Sequence, residues 1–232
     1  MPHSLDLVDE ICSPTGTDAL KILGAGAWTI VYITAIYIGY KQKTYCIPFV
    51  PLCINYAWEL YYAFFDFQCE SNTWCAQRII AIIWAAFDTL IVIQLLMYGY
   101  KYLEKTINKP VWYSTILFTF CSALIFIHLF RESFDPDGGI TAFADNYLMS
   151  CLFIRFFYVR KATSGENLHG QSLFIAIGKF IGTLAFSITF GGCDKNNAPY
   201  LVYTYVMIAV LDLYYIGLLV NAHYIHESPK KK

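Results

Sequence analysis

Glu59, Asp88 and Asp212 each sit deep inside an apolar stretch of this 232-residue chain. A carboxyl at the centre of a membrane-spanning helix costs about 2.5–3.5 kcal/mol on insertion scales, so three cost on the order of 8–10 kcal/mol before compensation. Acids so placed have to face a bundle interior or a polar cavity. Each can be read singly as a hydrogen-bonded node between helices, with Lys179 as the ion-pair partner of one of them. Taken together they read as a functional centre, the default for ionisable groups inside a membrane.

Their neighbours sharpen that reading. Asn55 and Glu59 are four residues apart, and so are Trp84 and Asp88, which places each pair on one helical face. Trp58 and Tyr62 flank Glu59, while Tyr205, Asp212 and Tyr215 fall along one stripe. With 19 Tyr and 18 Phe in the chain, most aromatic rings must simply meet lipid or form interfacial belts. A few beside the acids would instead form a pocket. Low dielectric favours the neutral form of a carboxyl, so a buried Glu or Asp can donate a proton near neutral pH. Aromatic faces attract cations. A proton donor ringed by aromatic faces can start and guide a carbocation cyclisation. The same groups would equally serve a proton-coupled transporter.

The elements that must hold these residues are transmembrane helices. The chain is 57% hydrophobic and 14% charged, against about 25% charged in a soluble domain. Its net charge of −1 gives no footprint for nucleic acid. Runs of roughly 20 apolar residues predict an all-α bundle of seven spans, at about 21–40, 45–66, 78–100, 111–131, 141–160, 171–191 and 199–222. The fifth is the weakest, because Asp145 and Arg155 bracket a short apolar run. Residues 1–20 read as a lumenal segment without a cleavable signal, 21–222 as the helical domain and 223–232 as a basic cytosolic tail.

Lys and Arg mark cytoplasmic loops. Lys41 and Lys43 follow the first span, Lys101, Lys105 and Lys109 the third, Arg160 and Lys161 the fifth, and Lys230, Lys231 and Lys232 end the chain. This alternation predicts a lumenal N-terminus and a cytosolic C-terminus in a multi-pass protein of the endoplasmic reticulum. Gly178, Gly182 and Ser187 mark the sixth span for close helix contact. Four cysteines fall on the lumenal side, Cys12, Cys69, Cys75 and Cys193. Cys69 and Cys75 share one short loop and either pair or remain thiols.

Several chemistries lack their equipment in this sequence. There is no Asp-rich DDxxD-type cluster for magnesium diphosphate, no P-loop, no G-x-S-x-G and no H-E-x-x-H. Asp135 and Asp137 form a lone D-P-D-G stretch, which reads as a turn. No metal site and no cofactor are expected. The seventh span has no lysine for a retinal Schiff base, and the short loops fit a receptor poorly.

The stretch Pro51-Leu52-Cys53-Ile54-Asn55-Tyr56-Ala57-Trp58-Glu59 resembles the P-L-C-x-N-x-A-W-E signature of the fungal integral-membrane terpene cyclases, the pyripyropene-type family of meroterpenoid and indole-diterpene biosynthesis. Val210-Leu211-Asp212-Leu213-Tyr214-Tyr215 resembles that family's D-x-x-Y motif. The resemblance implies metal-free cyclisation of a lipophilic prenylated substrate, usually a terminal epoxide. It implies Glu59 and Asp212 as the catalytic acids, and an upstream prenyltransferase and flavin epoxidase as pathway partners. Asp88 would orient that pair or shape the pocket. The second span is more tyrosine-rich than the signature, with Tyr56, Tyr61 and Tyr62. That departure bears on the substrate more than on the reaction class.

Overall fold

The computed structural model describes residues 9–65, 76–136, 138–164, 168–193 and 198–227. Seven helices of 15 residues or more run through them: α1 (Pro14–Gln42), α2 (Phe49–Phe64), α3 (Ala76–Tyr98), α4 (Lys109–Ser133), α5 (Gly139–Ser164), α6 (Leu173–Ser187) and α7 (Pro199–Glu227). A short 3-10 turn follows α3 at Tyr100–Tyr102, and a π-turn extends α6 through Ile188–Gly192.

The helices start and stop for local reasons. Ser13 accepts a hydrogen bond from the Gly16 N–H, and Pro14 occupies the first turn, where its missing N–H costs nothing. Residues 14–20 therefore belong to the first helix rather than precede it. Asn108 caps α4 in the same way, with Pro110 in its first turn. Lys43 closes α1 in the left-handed conformation (φ 50°). Each apolar run read along the chain thus overlaps one of these seven helices, whose ends are shifted by caps and prolines.

Five helices are long and apolar enough to cross a membrane: α1, α3, α4, α6 with its π-turn, and α7. The protein is a multi-pass membrane protein. The other two helices differ for physical reasons. At 16 residues, α2 reaches only about 24 Å at 1.5 Å per residue, short of a hydrocarbon core of about 30 Å. Polarity sets α5 apart, because it carries Asp145, Asn146, Ser150, Arg155 and Arg160. These two are also the helices most concerned with polar chemistry below.

Six helices close a ring. Each packs on the next in the order α1, α3, α2, α5, α7, α6 and back to α1, while α4 lies outside against α2. The contact of α1 with α6 is close because glycine permits it. A Cβ on Gly182 would stand 2.7 Å from the Trp28 ring, and one on Gly178 would stand 2.7 Å from Val31. The small residues of the sixth span thus do what their spacing predicts. The outer surface carries large apolar side chains such as Ile22, Phe118 and Phe174, as lipid contact requires.

One covalent link ties the ring's end. Cys12, just ahead of α1, is disulfide-bonded to Cys193, just after the π-turn, with Cα atoms 5.1 Å apart. The pairing considered for Cys69 and Cys75 lies outside the described residues. Cys46 and Cys53 are buried as packing residues, whereas Cys121 is exposed and Cys151 half-buried, so those two pack less than expected.

Candidate active site

Each of the six ring helices carries at least one buried ionisable side chain: Tyr32 on α1, Glu59 on α2, Asp88 on α3, Asp145 on α5, Lys179 on α6 and Asp212 on α7, none more than 5% exposed. The outer helix α4 adds none to this group.

On one side stand α1, α2 and α3. The Asn55 side-chain amide donates to the Tyr32 hydroxyl and to Asp88 Oδ2, both at 2.7 Å. One residue on α2 thereby ties the helices on either side. Glu59, one turn further along that face, lies within electrostatic range of Asp88 and Asp145. Its Oε2 has no hydrogen-bond partner among the described residues, and nor does Asp88 Oδ1. Trp84 donates its indole N–H to Thr29 at 3.1 Å and lies 5.9 Å from the Tyr32 ring.

On the other side stand α5, α6 and α7. The Lys179 ammonium donates to both oxygens of Asp212 at 2.8 Å and to the Ser150 hydroxyl at 2.7 Å. Its three N–H donors are then all used. This is the ion pair anticipated for Lys179, and Asp212 is the acid it selects. Tyr215 lies one turn beyond Asp212. Its hydroxyl donates to Gln171, and its ring lies 5.1 Å from that of Phe153.

Asp145 lies between the two sides. Asp88 and Lys179 are both within its electrostatic range. The same residue that weakens the fifth span in sequence is therefore buried inside the ring.

Three aromatic candidates sit elsewhere. Trp58 donates to the Gly138 carbonyl and the Thr141 hydroxyl, both at 3.2 Å, and its ring lies 4.3 Å from Tyr62. Both rings thus brace the turn that leads into α5. Gly138 has a φ of 74°, and a Cβ there would stand 2.3 Å from the Tyr62 hydroxyl, so glycine satisfies both constraints. Tyr205 packs edge-on to Phe143 at 4.4 Å, in a separate apolar cluster with Ile208. Seven residues from Asp212, it stands about 10 Å along the helix from that acid.

Asp135 of the D-P-D-G stretch is a capping residue. Its carboxylate accepts the backbone N–H of Ile140 at 3.0 Å, and the N–H and hydroxyl of Thr141 at 2.7 Å each. The turn reading holds at this position. Asp137 lies outside the described residues.

Sequence reasoning singled out Glu59, Asp88, Asp212, Asn55, Trp84 and Tyr215, and the ring interior brings these toward one region. It missed Tyr32, which has no local signal among 19 tyrosines. It also missed Asp145 as a site residue, although an acid in a weak span was the available signal.

A model of the Pyr4-like transmembrane terpene cyclases matches residues 14–224. The chain belongs to this family. Among curated relatives, the terpene cyclase dpmpB of Macrophomina phaseolina is 50% identical over 46 residues, 20% of this chain and 19% of that protein. The terpene cyclase andB of Emericella variicolor is 30% identical over 83 residues, 34% of each chain. The asnovolin H synthase nvfL of Aspergillus novofumigatus is 40% identical over 47 residues, 20% of this chain and 19% of that protein. The aligned stretches thus span about a fifth to a third of these relatives. No solved structure matches.

Proposed function

We propose that this protein is a seven-span terpene cyclase of the endoplasmic reticulum that starts a metal-free carbocation cyclisation by protonating a prenyl chain, in the typical case a terminal epoxide on a meroterpenoid precursor. The observation that carries this reading is the burial of Glu59, Asp88, Asp145 and Asp212 on four helices of one ring, with Asp145 within electrostatic range of Glu59, of Asp88 and of the Lys179 that holds Asp212. Family membership favours cyclisation over a proton-coupled transporter built from the same acids.

The substrate enters from the bilayer, and a protonated carboxyl faces the distal epoxide. The acid's O–H bond breaks and its proton goes to the epoxide oxygen. The C–O bond at the more substituted carbon opens, leaving a hydroxyl and a tertiary cation. The π electrons of the next alkene attack that carbon, and the cation moves along the folded chain. A final C–H bond then breaks, its proton returns to a carboxylate, and the net reaction is an isomerisation. Closely interacting acids titrate as a group, yet their partners divide the work. Glu59 has an unpaired oxygen to bring to the substrate, which suits it to donate the proton. Asp212 is held by Lys179, which suits it to remain a carboxylate beside the developing cation. Tyr215 and Trp84 supply aromatic faces near the two acids. A dry ring interior protects the cation from water.

The Cys12–Cys193 disulfide supports a lumenal N-terminus, since disulfides persist in oxidising compartments. The lysines after α1 and α3 support the same orientation.

The experiment is incubation of microsomes containing this chain with an epoxidised farnesyl-aromatic compound, followed by mass spectrometry. A product of unchanged mass that has lost the epoxide and gained a ring is expected. A substrate recovered unchanged from every candidate head group, or one merely moved across the membrane, overturns the reading.

A further inference from the structure

Asp145 is 5% exposed, and neither of its carboxyl oxygens has a hydrogen-bond partner among the described residues. Two other acids of the ring are better served. Asp88 accepts from Asn55, and Asp212 accepts twice from Lys179. Leaving a buried polar group unsatisfied costs about 1–3 kcal/mol, and more when it is charged. A fold that keeps, on a helix of the ring, a carboxyl without a partner among the described residues has placed it where something else engages it.

The surroundings indicate what that is. Helix α5 packs on α2, which carries Glu59, and on α7, which carries Asp212. Asp145 lies within electrostatic range of Glu59, Asp88, Tyr32 and Lys179. The cation that reaches this group is Lys179, and its three donors are already committed to Asp212 and Ser150. Neighbouring carboxyls in a dry interior cannot all ionise at once. Those left without the lysine have to hold protons between them.

We propose that Asp145 is the acid that shares and resupplies the initiating proton with Glu59, while the Lys179-held Asp212 stays a carboxylate throughout. The proposal rests on the cyclase reading above and refines its acid assignments. Asp145 and Glu59 are not hydrogen-bonded to each other here. Once Glu59 has given its proton to the substrate oxygen, the two side chains come within hydrogen-bond reach, the O–H bond of Asp145 breaks, its proton passes to the Glu59 carboxylate and the charge moves to Asp145. As the final C–H bond breaks, Glu59 takes that proton on one oxygen while the proton it already held passes back to Asp145, so no proton is gained or lost over a turnover. Asp145 acts through Glu59 and is therefore a positioning and proton-holding residue.

Two measurements test this. The first is steady-state kinetics of Asp145→Asn in microsomes, with membrane abundance and the Cys12–Cys193 disulfide as controls for folding. A kcat loss of about 100-fold is expected, the lower end of what general acid–base groups contribute, with KM within about threefold. Asp145→Glu should recover most of the lost kcat, because it restores a carboxyl. A kcat for Asp145→Asn within about threefold of the unmodified enzyme overturns the proposal.

The second needs no substrate and covers the case in which that variant fails to fold. Dicyclohexylcarbodiimide, an apolar reagent, adds a protonated carboxyl across its C=N bond. In membranes holding the unmodified chain, peptide mass spectrometry should find the adduct on Asp145 and none on Asp212. Asp212 should become reactive in Lys179→Met. An unmodified Asp145 overturns the proposal. The two readings also fail separately. If Glu59→Gln abolishes turnover and Asp145→Asn retains it, only the role of Asp145 falls. If the unmodified chain turns over no prenyl substrate, the cyclase reading falls, while the adduct still reports whether Asp145 holds a proton.

Discussion

Lys179 grips Asp212 with two bonds of equal length, 2.8 Å to each carboxylate oxygen, at a point where both side chains are no more than 2% exposed. An ion pair this deep is sustained only by good geometry and by bonds to its remaining donors, and Ser150 supplies the third. Removing one partner strands the other as a buried charge. Lys179→Met and Asp212→Asn should each destabilise the protein by about 3–5 kcal/mol. The double variant should be less destabilised than the sum, because neither charge is then left alone. Cyclisation should nonetheless be absent from all three. Thermal unfolding in detergent, run beside turnover, checks both halves. A double variant that regains activity with stability would show that the pair serves folding only.

Tyr32 lies in no sequence motif, and its hydroxyl accepts from Asn55 at 2.7 Å. Tyr32→Phe leaves one Asn55 N–H without an acceptor in a buried site, at a cost of about 1–3 kcal/mol. It also frees Asn55 to turn from Asp88. The variant should accumulate in membranes and bind substrate, yet lose about tenfold in kcat. Asn55→Ala, which releases both Tyr32 and Asp88, should lose more. Equal activity in all three proteins would remove the Tyr32–Asn55–Asp88 chain from the site.

Glu59, Asp88 and Asp212 were legible in the sequence because an acid inside a long apolar run has no inexpensive explanation. The helices were legible for the same reason in reverse, since α1, α3, α4, α6 and α7 each carry an apolar stretch long enough to cross a membrane. Asp145 was obscured because it lies among other polar residues, and a mixed run reads as a weak span rather than as a site. Tyr32 was obscured because a phenol inside the bundle and one at the lipid interface have the same sequence surroundings. The partner of Lys179 was not readable either, as choosing among three acids requires the helix order around the ring. Trp58 adjoins Glu59 in sequence but points to another face, where it and Tyr62 brace the turn at Gly138. Adjacency along a helix turns a side chain through about 100°, so a flanking residue is seldom a facing one.

The Cys12–Cys193 disulfide joins residues 181 positions apart and fastens the start of α1 to the end of the π-turn. Cys12→Ser should lower stability by about 2–4 kcal/mol. Turnover at low temperature should be kept, since Tyr32 lies about 27 Å further along α1 at 1.5 Å per residue. A mobility shift on non-reducing gels checks the bond itself. In sealed microsomes, the thiol of Cys193 in the Cys12→Ser variant should resist a membrane-impermeant maleimide until detergent is added. Labelling from the cytosolic side would reverse the orientation read from the lysines.

Asp135 offers a separate test of metal independence. Its carboxylate accepts three hydrogen bonds at the start of α5, one each from the Ile140 and Thr141 N–H groups and one from the Thr141 hydroxyl. A negative charge at a helix N-terminus also suits the helix dipole. Asp135→Ala should therefore cost about 1–2 kcal/mol as the loss of a cap. Because α5 carries Asp145, a loosened cap should reduce turnover in proportion to the destabilisation. If Asp135 served instead as a magnesium ligand for a diphosphate, EDTA would reproduce the activity loss of Asp135→Ala. On the capping reading EDTA leaves both melting temperature and turnover unchanged, and added magnesium does not rescue the variant. Restoration by magnesium would make Asp135 a metal ligand and favour diphosphate ionisation as the starting step.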